Sequence, residues 1–233
     1  MIAENIKKLR QSISEICRNV SRNPEEIKLI AVSKFFGAKE IMEAFRNGIT
    51  DFGENKAQEL EIKFDNIPEK INWHFIGTLQ KNKVKTAVKC AGIIHSVDSL
   101  ILAEEINKRA KLLEKKQQVL LQMKTSYEDS KFGISSEDEL IRIADFCMAS
   151  SNIDLLGLMT MAPLTDDEKI IRDSFSSLRN LMDKLNVQGF KLKELSMGMT
   201  SDYKIAIEEG STMLRIGSAI FGERDYSKSW REL

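Results

Sequence analysis

Apolar residues at Ile2, Ile6, Leu9, Ile13, Ile16 and Val20 recur at intervals of four and three, the rhythm of a helix with one buried face. Pro24 then opens a turn, and a different pattern takes over. Short apolar runs alternate with longer amphipathic ones. The runs predict strands near 28–33, 50–53, 73–76, 92–96, 118–124, 154–159, 193–196 and 213–217. Helices fall between them, at about 38–47, 54–65, 79–89, 98–115, 136–149, 166–186 and 201–208. Asn47-Gly48 suits a left-handed helix end before the strand at 50. Ser136-x-x-Glu139 and Thr165-x-x-Glu168 have the form of capping boxes. Ile171, Phe175, Leu178, Met182 and Leu185 continue the second of these as a core-facing stripe.

Strands that alternate with helices imply a parallel sheet joined by right-handed crossovers. Eight such units without a Pro/Gly/Ser-rich linker predict an α/β fold, a single-domain (β/α)8 TIM-type barrel. The expected domain spans 1–233, with residues 1–20 an extra N-terminal helix packed on the barrel. An open doubly wound sheet is the alternative, and neither a GxGxxG nor a Walker pattern supports it.

The composition narrows the function classes. Lys plus Arg and Asp plus Glu both number 35, so no global field favours nucleic acid or an anionic membrane. Lys81, Lys83, Lys85 and Lys89 form a local basic cluster that reads as a solvated helix face. No apolar stretch reaches membrane-spanning length, and the N-terminus is unlike a signal peptide. Cys17, Cys90 and Cys147 are far apart and lack CxxC spacing, which argues for a reducing compartment and against disulfides or zinc. Two histidines, His74 and His95, are too few for a His-rich metal centre. A soluble cytoplasmic protein is expected.

In a barrel of this kind the chemistry gathers at the C-terminal ends of the strands, and chemistry-bearing residues fall there in turn. Lys34 closes the first apolar run, Glu54 and Asn55 follow the second, and His74 lies within the third. The last two strands lead into Ser196-Met197-Gly198-Met199-Thr200 and Arg215-Ile216-Gly217-Ser218. Loops after the seventh and eighth strands are the usual phosphate site in these barrels. Thr200 and Ser201 offer hydroxyls there, although either also serves as a plain helix cap. Gly217 and Ser218 let backbone N–H groups approach an anion.

Alone, a lysine ending an apolar strand is commonly just the first solvated residue. Barrel closure changes its weight, because it sets the phosphate loops and Arg215 beside Lys34. A lysine for a Schiff base, a phosphate cradle and a partner for a pyridine nitrogen are the parts that pyridoxal phosphate (PLP) needs. Burial of Lys34 would favour the neutral amine that condenses with an aldehyde.

The segments AVSK, FGEN, WHFIGTLQKNK, GLMTM, LSMGM and RIGSAIFGERDY, in this order and spacing, resemble the pyridoxal phosphate homeostasis protein family, the YggS/PROSC group. The resemblance runs from about residue 28 to 226. It implies a barrel with an extra N-terminal helix, similar to the barrel domain of alanine racemase, and PLP carried covalently on Lys34. It further implies cofactor contacts from Asn55, His74, Ser196, Met197, Thr200, Arg215, Gly217 and Ser218. Thr200 stands where the family usually has serine, so a hydroxyl is retained. One departure is Phe35-Phe36-Gly37, where the family often reads Thr-Lys-Pro; aromatic groups replace polar ones at the pocket rim.

The family's role is to supply and buffer PLP without established turnover, so PLP and PLP-dependent apoenzymes are the expected partners of a monomer. A racemase is the rival reading. Racemisation needs an acid/base on each face of the substrate α-carbon. Lys34 could serve one face; in alanine racemases a tyrosine from a second domain of the partner subunit serves the other, and no such domain is expected here. Tyr127, Tyr203 and Tyr226 are the tyrosines present, and Tyr203 is expected in an exposed packing role. Among the remaining residues, Met197 and Met199 are expected to flank the cofactor. His95 reads as a partly buried residue on the fourth strand, and Trp230 as packing a final short helix.

Overall fold

The computed structural model describes residues 1–67, 70–125 and 133–223. Eight strands, all parallel, close in chain order: β1 (Lys28–Val32), β2 (Asp51–Glu54), β3 (Asn72–Phe75), β4 (Ile93–Val97), β5 (Gln117–Gln122), β6 (Ile153–Met159), β7 (Glu194–Ser196) and β8 (Met213–Ile216). All eight coincide with the apolar runs to within two residues. Pairing of β1 with β8, with Ile30 opposite Arg215 and Ala31 opposite Ile216, seals the barrel.

Outside it lie α1 (Ile2–Asn19), α2 (Ala38–Arg46), α3 (Ala57–Asn66), α4 (Val84–Cys90), α5 (Leu100–Leu112), α6 (Glu137–Ala149), α7 (Glu168–Val187), α8 (Tyr203–Glu208) and α9 (Ser218–Phe221). The apolar rhythm misses α9, which is a single turn. α1 packs against α2, α8 and α9, across the seam where the barrel closes. Its buried stripe is Ile2, Ile6, Leu9, Ile13 and Cys17, with Ile16 and Val20 only half-buried beside it. Asn5 donates to the Ile220 carbonyl at 3.0 Å, and Arg22 donates to those of Ile207 and Ser211 at 2.7 and 2.8 Å.

Strand alternation sorts side chains into two cores. Ala31, Phe52, Phe75, Ile94, Leu121, Leu158, Met197 and Ile216 face the helices in one large apolar belt. Inside the barrel, Ile30, Ile93, Leu120, Met159 and Met213 form a small apolar plug. The remaining interior is polar: Asp51, His74, His95, Ser196 and Arg215 are all buried.

Two boundaries differ from the local sequence signals. Ser136 caps α6 by accepting from the Glu139 N–H, as the spacing predicts. α7, however, is capped by Asp167, whose Oδ1 accepts from Lys169 and Ile170 N–H, while Thr165 accepts from Asp167 itself. The expected capping box thus starts two residues late, because a carboxylate reaches the first free N–H groups. Likewise α8 begins at Tyr203 and not at 201. Among the described residues no helix is long and apolar enough to cross a membrane, and Cys17, Cys90 and Cys147 are buried free thiols. Tyr127, Tyr226 and Trp230 lie outside the described residues.

Candidate functional site

A cavity of about 500 Å³ opens at the C-terminal ends of the strands, within the range of about 300–1,000 Å³ usual for ligand pockets. Every strand but β4 contributes to its walls: Lys34 after β1, Asn55 after β2, Ile76, Gly77 and Thr78 after β3, and Gln122 at the end of β5. Met161 follows β6, Met199, Thr200 and Ser201 follow β7, and Arg215, Gly217 and Ser218 come from β8 and its loop.

The loops after β7 and β8 are tightly folded where they border the cavity. Gly198 has φ +96°, and a Cβ there would fall 2.6 Å from the Ala206 Cβ, so this bend requires glycine. Asp202 Oδ1 accepts from the Met199 N–H at 2.5 Å, which folds Met199-Thr200-Ser201 over the cavity. Thr200 Oγ1 accepts from the Ala219 N–H at 3.4 Å and ties the two loops together. On the opposite wall Gly77 lies against the Asn55 backbone, where a Cβ would come 2.1 Å from the Asn55 carbonyl oxygen. The Asn55 side-chain oxygen is buried with no hydrogen-bond partner among the described residues. A buried acceptor of that kind is unfavourable unless a ligand or water donates to it.

Arg215 is the charged group on the cavity floor. It is buried, donating from Nη1 to Ser196 Oγ at 2.6 Å and from Nη2 to the Thr160 carbonyl at 2.8 Å. Burial lowers its pKa to about 10, opposed by the charge of Asp202, so it stays a cation at neutral pH.

From Arg215 a line of hydrogen bonds runs down the barrel axis. Ser196 Oγ meets His95 Nδ1 at 2.9 Å, His95 Nε2 meets His74 Nδ1 at 2.8 Å, and His74 Nε2 meets Asp51 Oδ1 at 2.9 Å. The two ends set its direction. Arginine only donates, and an ionised carboxylate only accepts. Burial raises the Asp51 pKa, but hydrogen bonds from His74 and Thr50 outweigh it and hold the carboxyl below its ordinary value. Burial lowers His74 against the pull of Asp51, and burial with the neighbouring charges pushes His95 lower still, so both rings are neutral. One assignment then satisfies every atom. Ser196 donates to His95 Nδ1, His95 Nε2–H to His74 Nδ1, and His74 Nε2–H to Asp51. The lower end reaches a smaller cavity of about 270 Å³ at the N-terminal ends of the strands.

Of the residues singled out from sequence, Lys34, Asn55, Thr200, Arg215, Gly217 and Ser218 line the cavity, as does Met199. His74, Ser196 and Met197 do not. His74 sits two residues before the cavity wall at Ile76, inside the axial chain, and Ser196 stands behind Arg215. Met197 points outward into the helix-facing belt, since strand alternation turns it away from its inward neighbour Ser196. His95 is wholly buried and not partly so. Lys34 is half-buried. Lys81, Lys85 and Lys89 are exposed on their helical segment, and Lys89 pairs with Glu61 and Asp65. Tyr203 is half-buried, its hydroxyl 2.9 Å from Ser12 Oγ on α1. Phe35 and Phe36, expected at the pocket rim, are not among the residues that line the cavity; Phe36 stacks on Phe221 with centroids 4.7 Å apart, and the Lys56 ammonium stands 5.1 Å from the Phe35 ring centre. Gly77 and Gln122 also line the cavity. Gly77 had a signal in Phe75-Ile76-Gly77 at a strand end; Gln122, a polar residue closing an apolar run, had little.

Comparison with known proteins matches residues 2–225 to the family described as "Alanine racemase, N-terminal domain". The pyridoxal phosphate homeostasis protein of Aquifex aeolicus is 36% identical over 225 residues, covering 96% of this chain and 98% of its own. The structure of PipY from Synechococcus elongatus with PLP bound superposes with a TM-score of 0.85 at 34% identity, covering 95% of this chain and 100% of that one. Alanine racemase of Clostridium difficile shares the fold, with a TM-score of 0.73 at 19% identity. The match covers 92% of this chain and 56% of the racemase.

Proposed function

The chain belongs to the pyridoxal phosphate homeostasis proteins, within the wider family of the alanine racemase N-terminal domain, and on that premise we propose that it binds PLP at the mouth of its barrel and carries it on Lys34 as a Schiff base for delivery to PLP-dependent apoenzymes. The reading rests on one convergence. A primary amine, a buried guanidinium, an unpartnered amide oxygen and two glycine-bearing loops share one cavity. A relative of 34% identity is known with PLP bound.

PLP, when bound, supplies an aldehyde, a ring nitrogen and a phosphate. Lys34 offers the amine to the first. Thr200 and the backbone N–H groups of Gly217 and Ser218 offer donors to the phosphate, at the opening of α9. Arg215 has five N–H donors in all, of which Ser196 and Thr160 occupy two directions; the rest are free to point at the ring nitrogen. Because arginine donates and does not accept, Arg215 would leave that nitrogen unprotonated and so weaken the ring as an electron sink. His74 and Ser196 act behind this wall, by orienting Arg215. Met197 contributes only packing.

The same geometry favours carriage over turnover. Tyr203, the tyrosine nearest the phosphate loops in sequence, is hydrogen-bonded to Ser12 and does not line the cavity. No second acid/base therefore faces Lys34 from that position. The relatives are named homeostasis proteins, and this chain is read as a carrier, monomeric and without nucleic-acid or membrane partners.

The test is an absorbance spectrum after PLP addition and desalting, before and after borohydride, for wild type and Lys34→Ala. A retained visible band that borohydride bleaches, with the adduct mapped to Lys34 and absent from the variant, is expected. A colourless wild-type protein contradicts the proposal. Enzyme-dependent exchange of an amino acid α-hydrogen, lost in Lys34→Ala, would favour the racemase reading instead.

A further inference from the structure

Lys34 stands on a strained turn. The Phe36 N–H donates to the Ser33 carbonyl at 2.9 Å, closing a β-turn with Lys34 and Phe35 at its centre. Phe35 has φ +70°. Positive φ at the third residue is the mark of a type II turn, a place where glycine is normal and a bulky residue is strained. Something outside the turn must therefore hold it.

Beneath it lies a cluster that the cofactor site does not use. Lys63 on α3 is buried, and its Nζ lies 2.7 Å from Glu54 Oε1, 2.8 Å from Glu59 Oε1 and 2.8 Å from the Ser33 carbonyl. Glu59 Oε1 also accepts from the Phe35 N–H at 2.7 Å, and Glu54 Oε1 accepts from Ser33 Oγ at 2.7 Å. The cluster thus grips the main chain on both sides of Lys34, at the carbonyl before it and the amide after it. The second oxygens of Glu54 and Glu59 are buried with no partner among the described residues. Two carboxylates around one ammonium, with two acceptors unmatched, are a poor stabilising device. Buried ion pairs are commonly replaced by apolar residues at no loss of stability.

We propose that Lys63, Glu54 and Glu59 are positioning residues, which hold the turn at Ser33–Phe36 so that the Lys34 amine faces the cavity. This rests on Lys34 as the PLP-bearing amine. The grip on Ser33 and Phe35 replaces the conformational freedom that glycine would bring at residue 35.

The experiment compares wild type with the apolar triple variant Lys63→Met/Glu54→Leu/Glu59→Leu, and with that variant carrying Phe35→Gly. Thermal unfolding, hydrogen exchange at the Phe35 amide and the rate of PLP loading are measured. The triple variant is expected to stay folded, with a melting temperature lowered by the loss of acceptors for Ser33 Oγ–H and the Phe35 N–H, and to lose protection at the Phe35 amide. Its PLP loading should slow by ~10-fold or more, as misplacement of a reacting group does. Adding Phe35→Gly should recover part of the loading, because glycine takes a φ of +70° without strain. Wild-type loading in the triple variant, or continued protection of Phe35, overturns the proposal. If the triple variant does not fold, exchange in the wild-type protein decides: a protected Phe35 amide supports the grip, and an unprotected one ends it. That exchange needs no cofactor, so failure of wild type to take up PLP would sink the carrier reading while the grip is judged separately.

Discussion

Two histidines are all that the chain has, and both stand in the barrel axis between an arginine and an aspartate. Their ring signals are therefore simple to assign. The hydrogen-bond direction predicts that both are neutral Nε2–H tautomers; burial lowers His74 below the ordinary value of 6.5 and His95 well below it. Long-range proton–nitrogen NMR spectra between about pH 5 and 8 test this over the range in which a free imidazole titrates. Ordinary titration near 6.5, or an Nδ1–H signal, contradicts the relay. The linkage has a definite sign. The unfolded chain takes up protons at these rings as pH falls through 6.5, and the native protein takes them up only at lower pH. Their contribution to stability is thus full above 6.5 and falls away below it. Glu54 acts oppositely: burial, against the pull of Lys63, raises it to about 7 from 4.5. Its contribution is full below 4.5 and is lost as pH rises through 7. The two trends oppose each other at mildly acid pH, so the ring signals are the cleaner readout.

At the scale of elements, apolar period placed every strand and most helices, because a half-buried helix or buried strand must repeat its own geometry in its side chains. Boundaries were less secure, since several polar residues near a helix start compete for the same N–H groups. α7 is the instance: Thr165 and Asp167 both have capping chemistry, and Asp167 takes the cap. Asp167→Ala should lower stability by about 1 kcal/mol. Thr165→Ala, which removes only the bond to the Asp167 N–H, should cost less. Urea unfolding of the two variants checks the order, and the reverse order would return the cap to Thr165. α9 escaped notice because one turn carries no period. It follows directly on the strand expected at 213–217, with Gly217 as the only residue between β8 and α9.

For the whole molecule, closure makes one site from residues at both ends of the chain. A ligand bridging that seam stabilises the native state by mass action, by about 2.7 kcal/mol at a concentration one hundred times its dissociation constant. PLP should accordingly raise the melting temperature of wild type more than inorganic phosphate does. Lys34→Ala should keep the phosphate effect and lose most of the PLP increment. A PLP increment undiminished in Lys34→Ala would mean that the cofactor is held chiefly without the amine.

The order of strands and helices, the closed barrel and the cluster of Lys34, Asn55, Thr200, Arg215, Gly217 and Ser218 at its mouth were determined by the sequence itself. Periodicity and strand-end chemistry are local, and every strand of a parallel barrel points its C-terminal end the same way. What only the tertiary structure decided is the facing of residues across the interior. Whether His74 and Ser196 touch the cavity or stand one layer beneath it depends on the stagger between neighbouring strands, set by contacts such as Gly53 opposite His74 and Ser196 opposite Met213. The same holds for Lys63 on α3, which packing places under the Lys34 turn. Burial of a charge is a property of its surroundings, and those assemble only when the barrel has closed.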